Sequence, residues 1–281
     1  MQTILTIEAL RTARAGLRGK VALVPTMGAL HEGHLSLVRE AQARATHVVV
    51  SIFVNPRQFG ANEDLDAYPR QLVRDCALLK PLSVDLVWAP SAKDMYPDGY
   101  ATNVSVAGVS ESLCGAARPG HFDGVATVVC KLFNQVRPDL ALFGEKDWQQ
   151  LAVIRRMARD LDLAWPQEIS GSPTVREPDG LAMSSRNAFL DSDDRTRAAV
   201  LPAAMKKAIA EIAKGKPVAE ALNRLTAALL TGGFDSIDYA ELRDAESFAV
   251  LTERPIDFAR LLVAARIGGT RLIDNMEAWS G

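Results

Sequence analysis

Residues 21–40 read VALVPTMGALHEGHLSLVRE, an apolar run followed by a turn of small residues and a helix-like stretch. The run over 21–24 predicts a buried strand, and the helix is predicted to begin near His34. Gly28 and Gly33 allow the backbone to approach a ligand closely. Because a helix start offers unpaired N–H groups and partial positive charge, the stretch predicts a strand–turn–helix that can hold phosphates.

The same alternation continues through the first half of the chain. Strands are predicted at 47–54, 85–88 and 139–143, and helices at 34–44, 68–79, 122–136 and 147–161. Strands that alternate with helices indicate a parallel sheet with right-handed crossovers. We therefore predict an α/β fold, with a Rossmann-like parallel-sheet domain over residues 1–175.

The composition changes after Asn187, where an acidic run over 191–194 predicts a helix start with Ser192 as N-cap. A long helix is predicted from there to about residue 214, and a second helix to about 230. Strands are predicted at 236–242, 259–267 and 270–275, the last two joined by Gly268-Gly269, a hairpin signal. Residues 176–281 are therefore predicted to form a smaller C-terminal α+β domain.

The bulk composition excludes several classes of protein. The 281 residues are 48% hydrophobic and 23% charged, with a net charge of −2, which is ordinary for a globular protein and argues against nucleic acid as a partner. Three widely spaced cysteines form no zinc or disulfide pattern. The chain shows no signal peptide and no apolar run of membrane-spanning length, so we expect a cytoplasmic enzyme without a membrane partner.

His31 and His34 lie three positions apart at the predicted helix start. Imidazole N–H groups there can donate to phosphate oxygens and stabilise charge in a phosphoryl-transfer transition state. Metal binding is the first alternative, although zinc-protease spacing requires four positions and no third ligand is evident. The second alternative is a pair that only caps or packs the helix, and we favour phosphate contact.

Polar side chains follow two further predicted strands. Asn55 and Gln58 come after the second strand and suit a substrate with hydroxyl and carbonyl groups, although Asn55-Pro56 is also an ordinary loop start. After the strand at 139–143, Lys146 can reach a phosphate as a point charge, Asp147 can cap a helix or hold a metal-bound water, and Gln150 lies one turn further. A solvated charged helix start remains the alternative there.

Two loops carry arginine. Residues 183–187, MSSRN, offer two hydroxyls and the guanidinium of Arg186, which suit a triphosphate tail. The alternative is an N-cap with a surface arginine, but a position between two predicted domains favours binding. Arg118, in the Gly- and Pro-rich loop 118–124, is a candidate partner for a carboxylate.

With these motifs in place, the chain resembles the pantothenate synthetase (pantoate–β-alanine ligase) family along almost its whole length. The matching stretches are 25–40, 51–70, 118–136, 143–151, 174–187 and 269–275. The family is part of the nucleotidyltransferase superfamily, and residues 31–34 resemble the His-Ile-Gly-His signature of class I aminoacyl-tRNA synthetases. Residues 183–186 resemble a short form of their mobile phosphate loop.

The resemblance implies ATP-dependent condensation of pantoate with β-alanine to pantothenate. Pantoate attacks the α-phosphorus of ATP to give pantoyl adenylate and pyrophosphate, and β-alanine then displaces AMP. ATP is a substrate accompanied by Mg²⁺, whose protein ligands are not assigned. The family is typically a homodimer built through the N-terminal domain, and residues 176–281 would be a lid.

The resemblance also implies roles for individual residues. His34 is the catalytic histidine, and the charge that neutralises the two anions comes from His31, His34, Lys146 and Arg186. Gln58 and Gln150 hold pantoate, Gln58 also meets β-alanine, and Asn55 and Arg118 are further candidates. The implied ATP contacts are Met27, Gly28, Ala29, Leu30, His31, Glu32, Gly33, His34, Gly144, Glu145, Lys146, Asp147, Val175, Met183, Ser184, Ser185 and Arg186.

One position departs from the family pattern, because Trp148 stands where Tyr or Phe is expected. Two other functions compete with the ligase. A different nucleotidyltransferase would leave the nucleotide on a phosphorylated substrate, and a regulatory module would bind ATP without forming AMP. The absence of a GxSxG motif or of a cysteine beside a base argues against a protein nucleophile.

Overall fold

The computed structural model describes residues 1–60, 63 and 65–279 and shows two compact units. The first unit comprises Met1–Glu145 and Gln149–Pro173, and the second comprises Lys146–Trp148 and Thr174–Gly281. Residues 61, 62 and 64 of the family-like stretch 51–70, and residues 280 and 281 of the predicted C-terminal domain, lie outside the described part. The grouping of Lys146–Trp148 with the second unit has no counterpart in the sequence pattern.

The first unit is built on a six-stranded parallel sheet with strand order β1-β4-β3-β2-β5-β6. Its strands are β1 Gln2–Ile4, β2 Val21–Thr26, β3 His47–Ile52, β4 Leu86–Trp88, β5 Leu140–Gly144 and β6 Glu168–Ser172. The helices between them are α1 Ile7–Gly16, α2 Glu32–Arg44, α3 Leu72–Leu79, α4 Ala92–Met95, α5 Cys114–Ala117, α6 His121–Val136 and α7 Trp148–Asp160. The predicted parallel sheet is confirmed.

The apolar strands of this sheet form its core. Val24, Val50, Val87 and Leu142 are fully or almost fully buried, and α2 packs Val38 against them. Uniformly apolar strands are typical of a parallel sheet covered on both faces. The ends of β2 and β3 therefore stand on a rigid base, and the polar residues that follow them are held in place.

The second unit packs two long helices against a three-stranded antiparallel sheet. The long helices are α9 Val200–Ala213 and α10 Val218–Thr231, and the short helix α8 Ser192–Arg197 precedes them. The strands are β7 Ser236–Asp244, β8 Ala259–Ile267 and β9 Thr270–Trp279, in the order β7-β8-β9. Gly268 and Gly269 have φ angles of 53° and 75° and join β8 to β9, so the predicted hairpin turn is confirmed.

The long helix predicted over residues 192–214 is wrong in two respects. Asp191, not Ser192, is the N-cap, and it accepts hydrogen bonds from the N–H groups of Asp193 and Asp194. The helix also breaks between α8 and α9. Pro202 explains the break, because its ring lacks an N–H and conflicts with the carbonyl of Ala198 four residues earlier.

The helix predicted over residues 68–79 begins only at Leu72. The Arg70 guanidinium donates to the carbonyl oxygens of Leu65, Asp66 and Tyr68, which holds the preceding residues as a turn. Among the helices of the described residues, none is both long enough and apolar enough to cross a bilayer.

Candidate active site

The turn between β2 and α2 carries the histidine motif. Gly28 and Ala29 have positive φ angles of 85° and 51°, a backbone conformation that glycine adopts without strain. A Cβ on Gly28 would lie 3.0 Å from the Asp75 Oδ2 atom. The turn is therefore tightly shaped, and the small residues of the motif are explained by the backbone itself.

Asp75 of α3 fixes this turn, a role that was not predicted from the sequence. Its carboxylate accepts hydrogen bonds from the N–H groups of Ala29 (3.0 Å) and Leu30 (2.9 Å), and the side chain is almost fully buried. The signal was present in the sequence, because Asp75 lies on the same helix face as Leu72 and Leu79. A carboxylate on an apolar helix face is buried with a partner.

His31 and His34 form a capping box at the start of α2. His31 Nδ1 accepts from the N–H of Gly33 at 3.1 Å, and His34 Nδ1 accepts from the N–H of His31 at 3.4 Å. The ring centroids are 4.1 Å apart. Because each Nδ1 is an acceptor, a neutral ring carries its proton on Nε2. The capping alternative is thus present, and it leaves each histidine as an Nε2–H donor.

The neighbouring residues of the motif take different positions. Glu32 is exposed and pairs with Arg39 of the same helix.

His47, at the start of β3, contacts Asp85 and the carbonyl of Arg18 through its two ring nitrogens. Because both ring nitrogens have partners within the first unit, this third histidine is structural.

Gln58 reaches the same turn through Met27. Its Nε2 donates to Met27 Sδ at 3.2 Å, and its Oε1 accepts from Asn55 Nδ2 at 3.1 Å. Asn55 is buried and caps the 3-10 helix Pro56–Gln58 by accepting from the N–H of Arg57. Asn55 therefore performs the turn role of the alternative interpretation and also orients Gln58.

Arg118 and His121 hold the main chain of Gln58. His121 Nδ1 lies 2.8 Å from the Gln58 carbonyl oxygen, and Arg118 Nη2 donates to it at 3.3 Å. Arg118 also forms a bidentate pair with Glu63, at 2.6 and 2.5 Å. Burial alone would raise the pKa of Glu63, but Arg118 overrides it and lowers that pKa to about 2. The carboxylate partner predicted for Arg118 is therefore found within the chain.

Gly124 of α6 allows this arrangement. A Cβ there would lie 2.3 Å from the carbonyl oxygen of Arg57, so only glycine lets the helix approach the 3-10 helix this closely. The Gly124 carbonyl also accepts from Asn55 Nδ2 at 3.0 Å.

The two adjacent glutamines of α7 differ sharply in environment. Gln149 is buried, and its carboxamide accepts from the N–H of Cys114 and donates to the carbonyls of Val109 and Ser112. Gln150 is only half-buried. Gln149 thus holds the loop before α5, whereas the side chain of Gln150 stays partly exposed.

The segment that joins β5 to α7 carries the other cation. Gly144 ends β5 in the first unit, and Glu145–Asp147 form a 3-10 helix. The Lys146 ammonium is mostly buried and lies 3.9 Å from the Asp147 carboxylate, which is half-exposed. The pairing is loose, so neither group is fixed by the other.

Trp148 packs within the second unit through two partners. Its indole Nε1 donates to the Ala245 carbonyl at 3.0 Å, and the Arg260 guanidinium lies 3.6 Å from its ring centroid. Arg260 donates to Asn275 Oδ1, and Asn275 Nδ2 donates to the carbonyl of Lys146 at 2.9 Å. Asn275 of the family-like tail 269–275 therefore holds the backbone of Lys146.

The loop 183–186 is anchored at its base by the strand-like segment at Val175. The N–H of Met183 donates to the Val175 carbonyl at 3.0 Å. Ser184 caps the 3-10 helix Ser185–Phe189, accepting from the N–H of Arg186. The N-cap alternative is thus present for Ser184, and the short helix gives Ser185 and Arg186 defined backbone positions.

The Arg176–Asp274 ion pair lies beside this loop and was not predicted from the sequence. The contacts are bidentate, at 2.7 and 2.9 Å, and the Asp274 side chain is fully buried. Burial raises the pKa of Asp274, opposed by the hydrogen bonds and charge of Arg176. A buried pair of this kind fixes the path of the chain from Val175 onward.

A cavity of about 390 Å³ opens in the first unit at the carboxyl ends of β2, β3 and β4. Met27 and Gly28 of the histidine turn line it, together with Phe53 and the polar side chains of Arg70 and Ser91. Ligands of open parallel sheets lie at this edge, and the volume suits a small molecule. In the described ranges 1–60, 63 and 65–279, no cluster of three His, Cys, Asp or Glu is placed to hold a metal ion.

A parallel sheet whose second strand leads through a histidine turn into a capped helix, with a smaller α+β unit, defines a Rossmann-like α/β protein. The model of the pantoate-beta-alanine ligase family matches residues 2–277. The chain belongs to this family, as the resemblance predicted, and it is an enzyme of the ligase class.

Named relatives agree with this assignment. The chain is 66% identical over 281 residues to pantothenate synthetase of Novosphingobium aromaticivorans, covering 98% of each chain. It is 61% identical to that of Sphingopyxis alaskensis, covering 98% of this chain and 99% of the relative.

Solved structures give the same result. Pantothenate synthetase of Thermus thermophilus has a TM-score of 0.94 at 48% identity, covering 99% of this chain and all of that chain. Pantoate-beta-alanine ligase of Francisella tularensis, solved in complex with beta-gamma ATP and beta-alanine, has a TM-score of 0.83 at 36% identity, covering 100% and 99% of the two chains.

Proposed function

We propose that this enzyme condenses pantoate with β-alanine in an ATP-dependent reaction that passes through pantoyl adenylate. The proposal is supported by the names of the relatives and by the complex of the Francisella tularensis ligase. The observation within the chain that supports it most is the histidine capping box, because both Nδ1 atoms are committed to the helix start. Two Nε2–H donors at a helix N-terminus suit the phosphates of a nucleotide.

In the first step a pantoate carboxylate oxygen attacks the α-phosphorus of ATP. The bond from that phosphorus to the bridging oxygen breaks, and pyrophosphate leaves with the bonding electrons. Two anions must meet, so the enzyme needs positive charge and donors more than a nucleophile. His31, His34, Lys146 and Arg186 are proposed to supply them, with His34 at the reacting phosphate.

ATP is proposed to enter as its Mg²⁺ complex, and the ion supplies charge neutralisation to the phosphates. The half-exposed Asp147 carboxylate is suited to accept a hydrogen bond from a metal-bound water. The remaining proposed ATP contacts are the main chain of the histidine turn and the residues Gly144, Glu145, Val175, Met183, Ser184 and Ser185.

Pantoate is proposed to bind Gln58 and Gln150 through its hydroxyl and carboxylate oxygens. Neutral carboxamides orient an anion without changing the local charge. In the second step the β-alanine amine, which Gln58 also meets, attacks the acyl carbon of the adenylate. The acyl C–O bond breaks, AMP leaves with the electron pair, the amine nitrogen gives up its proton to solvent, and the amide of pantothenate forms.

The assembly and the cellular setting are further proposals. We propose a homodimer in the cytoplasm, with residues 176–281 acting as a lid. Size-exclusion chromatography with light scattering measures the dimer directly. A monomer at micromolar concentration would contradict it.

The decisive experiment withholds β-alanine and follows isotope exchange. Labelled pyrophosphate should enter ATP only when pantoate is present, and quenched reactions should contain pantoyl adenylate. A nucleotidyltransferase with a phosphorylated substrate would show no pantoate dependence, and a regulatory module would show no exchange. Either result with folded protein would overturn the proposed function.

A further inference from the structure

The carboxamide of Asn55 is oriented by two backbone groups whose roles cannot be exchanged. The N–H of Arg57 donates to Oδ1 at 3.3 Å, and the carbonyl of Gly124 accepts from Nδ2 at 3.0 Å. A backbone N–H can only donate and a carbonyl can only accept. The oxygen and nitrogen of Asn55 are therefore distinguished by their surroundings.

This orientation passes to Gln58. Because Asn55 Nδ2 donates to Gln58 Oε1, the oxygen of the Gln58 carboxamide faces Asn55. The amide nitrogen of Gln58 then faces Met27, whose thioether is a weak acceptor. Gln58 thus presents N–H donors, rather than its carbonyl oxygen, to the histidine turn.

Tyr96, which follows α4, completes the relay. Its hydroxyl donates to Asn55 Oδ1 at 2.8 Å, a shorter contact than the 3.3 Å bond from Arg57. The ring is half-buried, 6.2 Å from Phe53 and 5.1 Å from Tyr100 between ring centroids. The hydroxyl is therefore held by packing at the end of a chain of three hydrogen-bonded side chains.

Cations lie over the same ring. The Arg57 guanidinium is 5.4 Å and the Lys131 ammonium 5.9 Å from the Tyr96 ring centroid. Burial raises the pKa of the Tyr96 hydroxyl, opposed by the charge of Arg57. The hydroxyl consequently stays protonated, and so able to donate, throughout the neutral range.

We propose that Tyr96 is a positioning residue for pantoate: together with the two backbone groups, its hydroxyl holds Asn55 in the orientation that keeps Gln58 a hydrogen-bond donor. Gln58 then selects an oxygen acceptor, either a carboxylate or a hydroxyl lone pair. This inference rests on the proposed function, in which Gln58 binds pantoate. It concerns the direction of one hydrogen bond and not the phosphate contacts, so in exchange assays without β-alanine its effect falls on pantoate and not on ATP.

The test compares Tyr96→Phe with Tyr100→Phe in pantoate-dependent pyrophosphate exchange. Removal of one hydrogen bond in the relay corresponds to about a five- to tenfold rise in the KM for pantoate. The KM for ATP and kcat should change by less than about twofold. Tyr100→Phe removes a hydroxyl from the adjacent ring, which meets Tyr96 edge-on, and should leave all three constants unchanged.

A double-mutant cycle and a substrate-free measurement separate the possible results. In a Gln58→Ala background, Tyr96→Phe should have no further effect on the KM for pantoate, and an additive effect would overturn the relay. ¹⁵N relaxation of the Gln58 side-chain amide, identified by its loss in Gln58→Ala, should show greater mobility in Tyr96→Phe but not in Tyr100→Phe. If the mobility of the Gln58 amide is unchanged in Tyr96→Phe, the inference is overturned, whatever the exchange assay shows. Absence of pyrophosphate exchange in the wild type would reject only the proposed function.

Discussion

The Asp75 carboxylate accepts a hydrogen bond from the main-chain N–H of Leu30 at 2.9 Å, although the two residues are 45 positions apart. The same carboxylate holds the N–H of Ala29. Helix α3, which follows a different strand of the sheet, thus sets the backbone that precedes the two histidines. The histidine rings depend on α3 for their position, as well as on their own helix.

Replacement of Asp75 tests this dependence. Asp75→Ala leaves the buried N–H of Leu30 and the part-buried N–H of Ala29 without acceptors. A buried N–H without an acceptor costs about 1–3 kcal/mol, so the free energy of unfolding should fall by about 2 kcal/mol. Pyrophosphate exchange should fall as well, because the turn loses its anchor. Asp98→Asn, at an exposed and loosely paired carboxylate, is the control and should change both quantities little. Full activity in Asp75→Ala would show that the turn holds its shape alone.

His34→Asn separates the cap from the chemistry. The Asn side chain can still accept from the N–H of His31, as Nδ1 does, but it has no group at the Nε2 position. Adenylate formation should fall by at least about a hundredfold, while the urea midpoint stays near that of the wild type. His47→Asn, in the structural histidine, should lower stability with little effect on exchange. Near-normal exchange in His34→Asn would remove His34 from the mechanism.

The adjacent glutamines of α7 form a matched pair. Gln149→Ala removes the side-chain partner of the Cys114 N–H and of the Val109 carbonyl, and a loss of about 2 kcal/mol or more is expected in chemical denaturation. Gln150→Ala should unfold like the wild type but show a KM for pantoate raised by about tenfold or more. If Gln149→Ala were as stable as the wild type and instead showed the raised KM for pantoate, the proposed pantoate site would be contradicted.

The sequence predicted those parts of the fold that local pattern specifies. The parallel sheet followed from short apolar strands with helices between them, and the β8–β9 hairpin from Gly268-Gly269. The three-residue strand β1 and the glycine-containing strand β6 were missed, because neither shows the length or apolar character of a buried strand. The break before Pro202 required a steric interpretation of the proline within an otherwise helical run.

The candidate site was predicted in part for the same reason. Motifs such as residues 27–34 and 183–186 are contiguous, and their chemistry is visible in the residue types. Other side chains act through contacts between segments that are far apart in the sequence, and no short stretch of sequence shows such a contact. These are Asp75, Tyr96 and the Arg176–Asp274 pair. Asn55 has the turn role that was the alternative to substrate binding, and it also orients Gln58; its contact with substrate stays a prediction.

Arg186→Ala tests the proposed phosphate loop. The loop backbone is held by Ser184 and Val175, so the substitution should leave the fold intact. The KM for ATP should rise by about tenfold or more, because a guanidinium forms strong hydrogen bonds to phosphate oxygens. Arg195→Ala, whose side chain pairs with Asp179, is the arginine control. A selective loss of pantoate affinity in Arg186→Ala would contradict the role in phosphate binding.

The Glu63–Arg118 pair predicts a pH dependence that can be measured at one carboxyl. Its folded pKa of about 2 lies below the usual value for glutamate, so between about pH 4.5 and 2 the unfolded chain binds more protons. The stabilisation from the pair is complete above about pH 4.5 and is lost as the pH falls toward 2. Carbon-13 NMR of the Glu63 carboxyl should show the low pKa, and Arg118→Gln should raise it by more than about one unit, because burial then acts with less opposition. An unshifted carboxyl in the wild type would mean that Arg118 is not engaged with Glu63 in solution and is available to a substrate carboxylate instead.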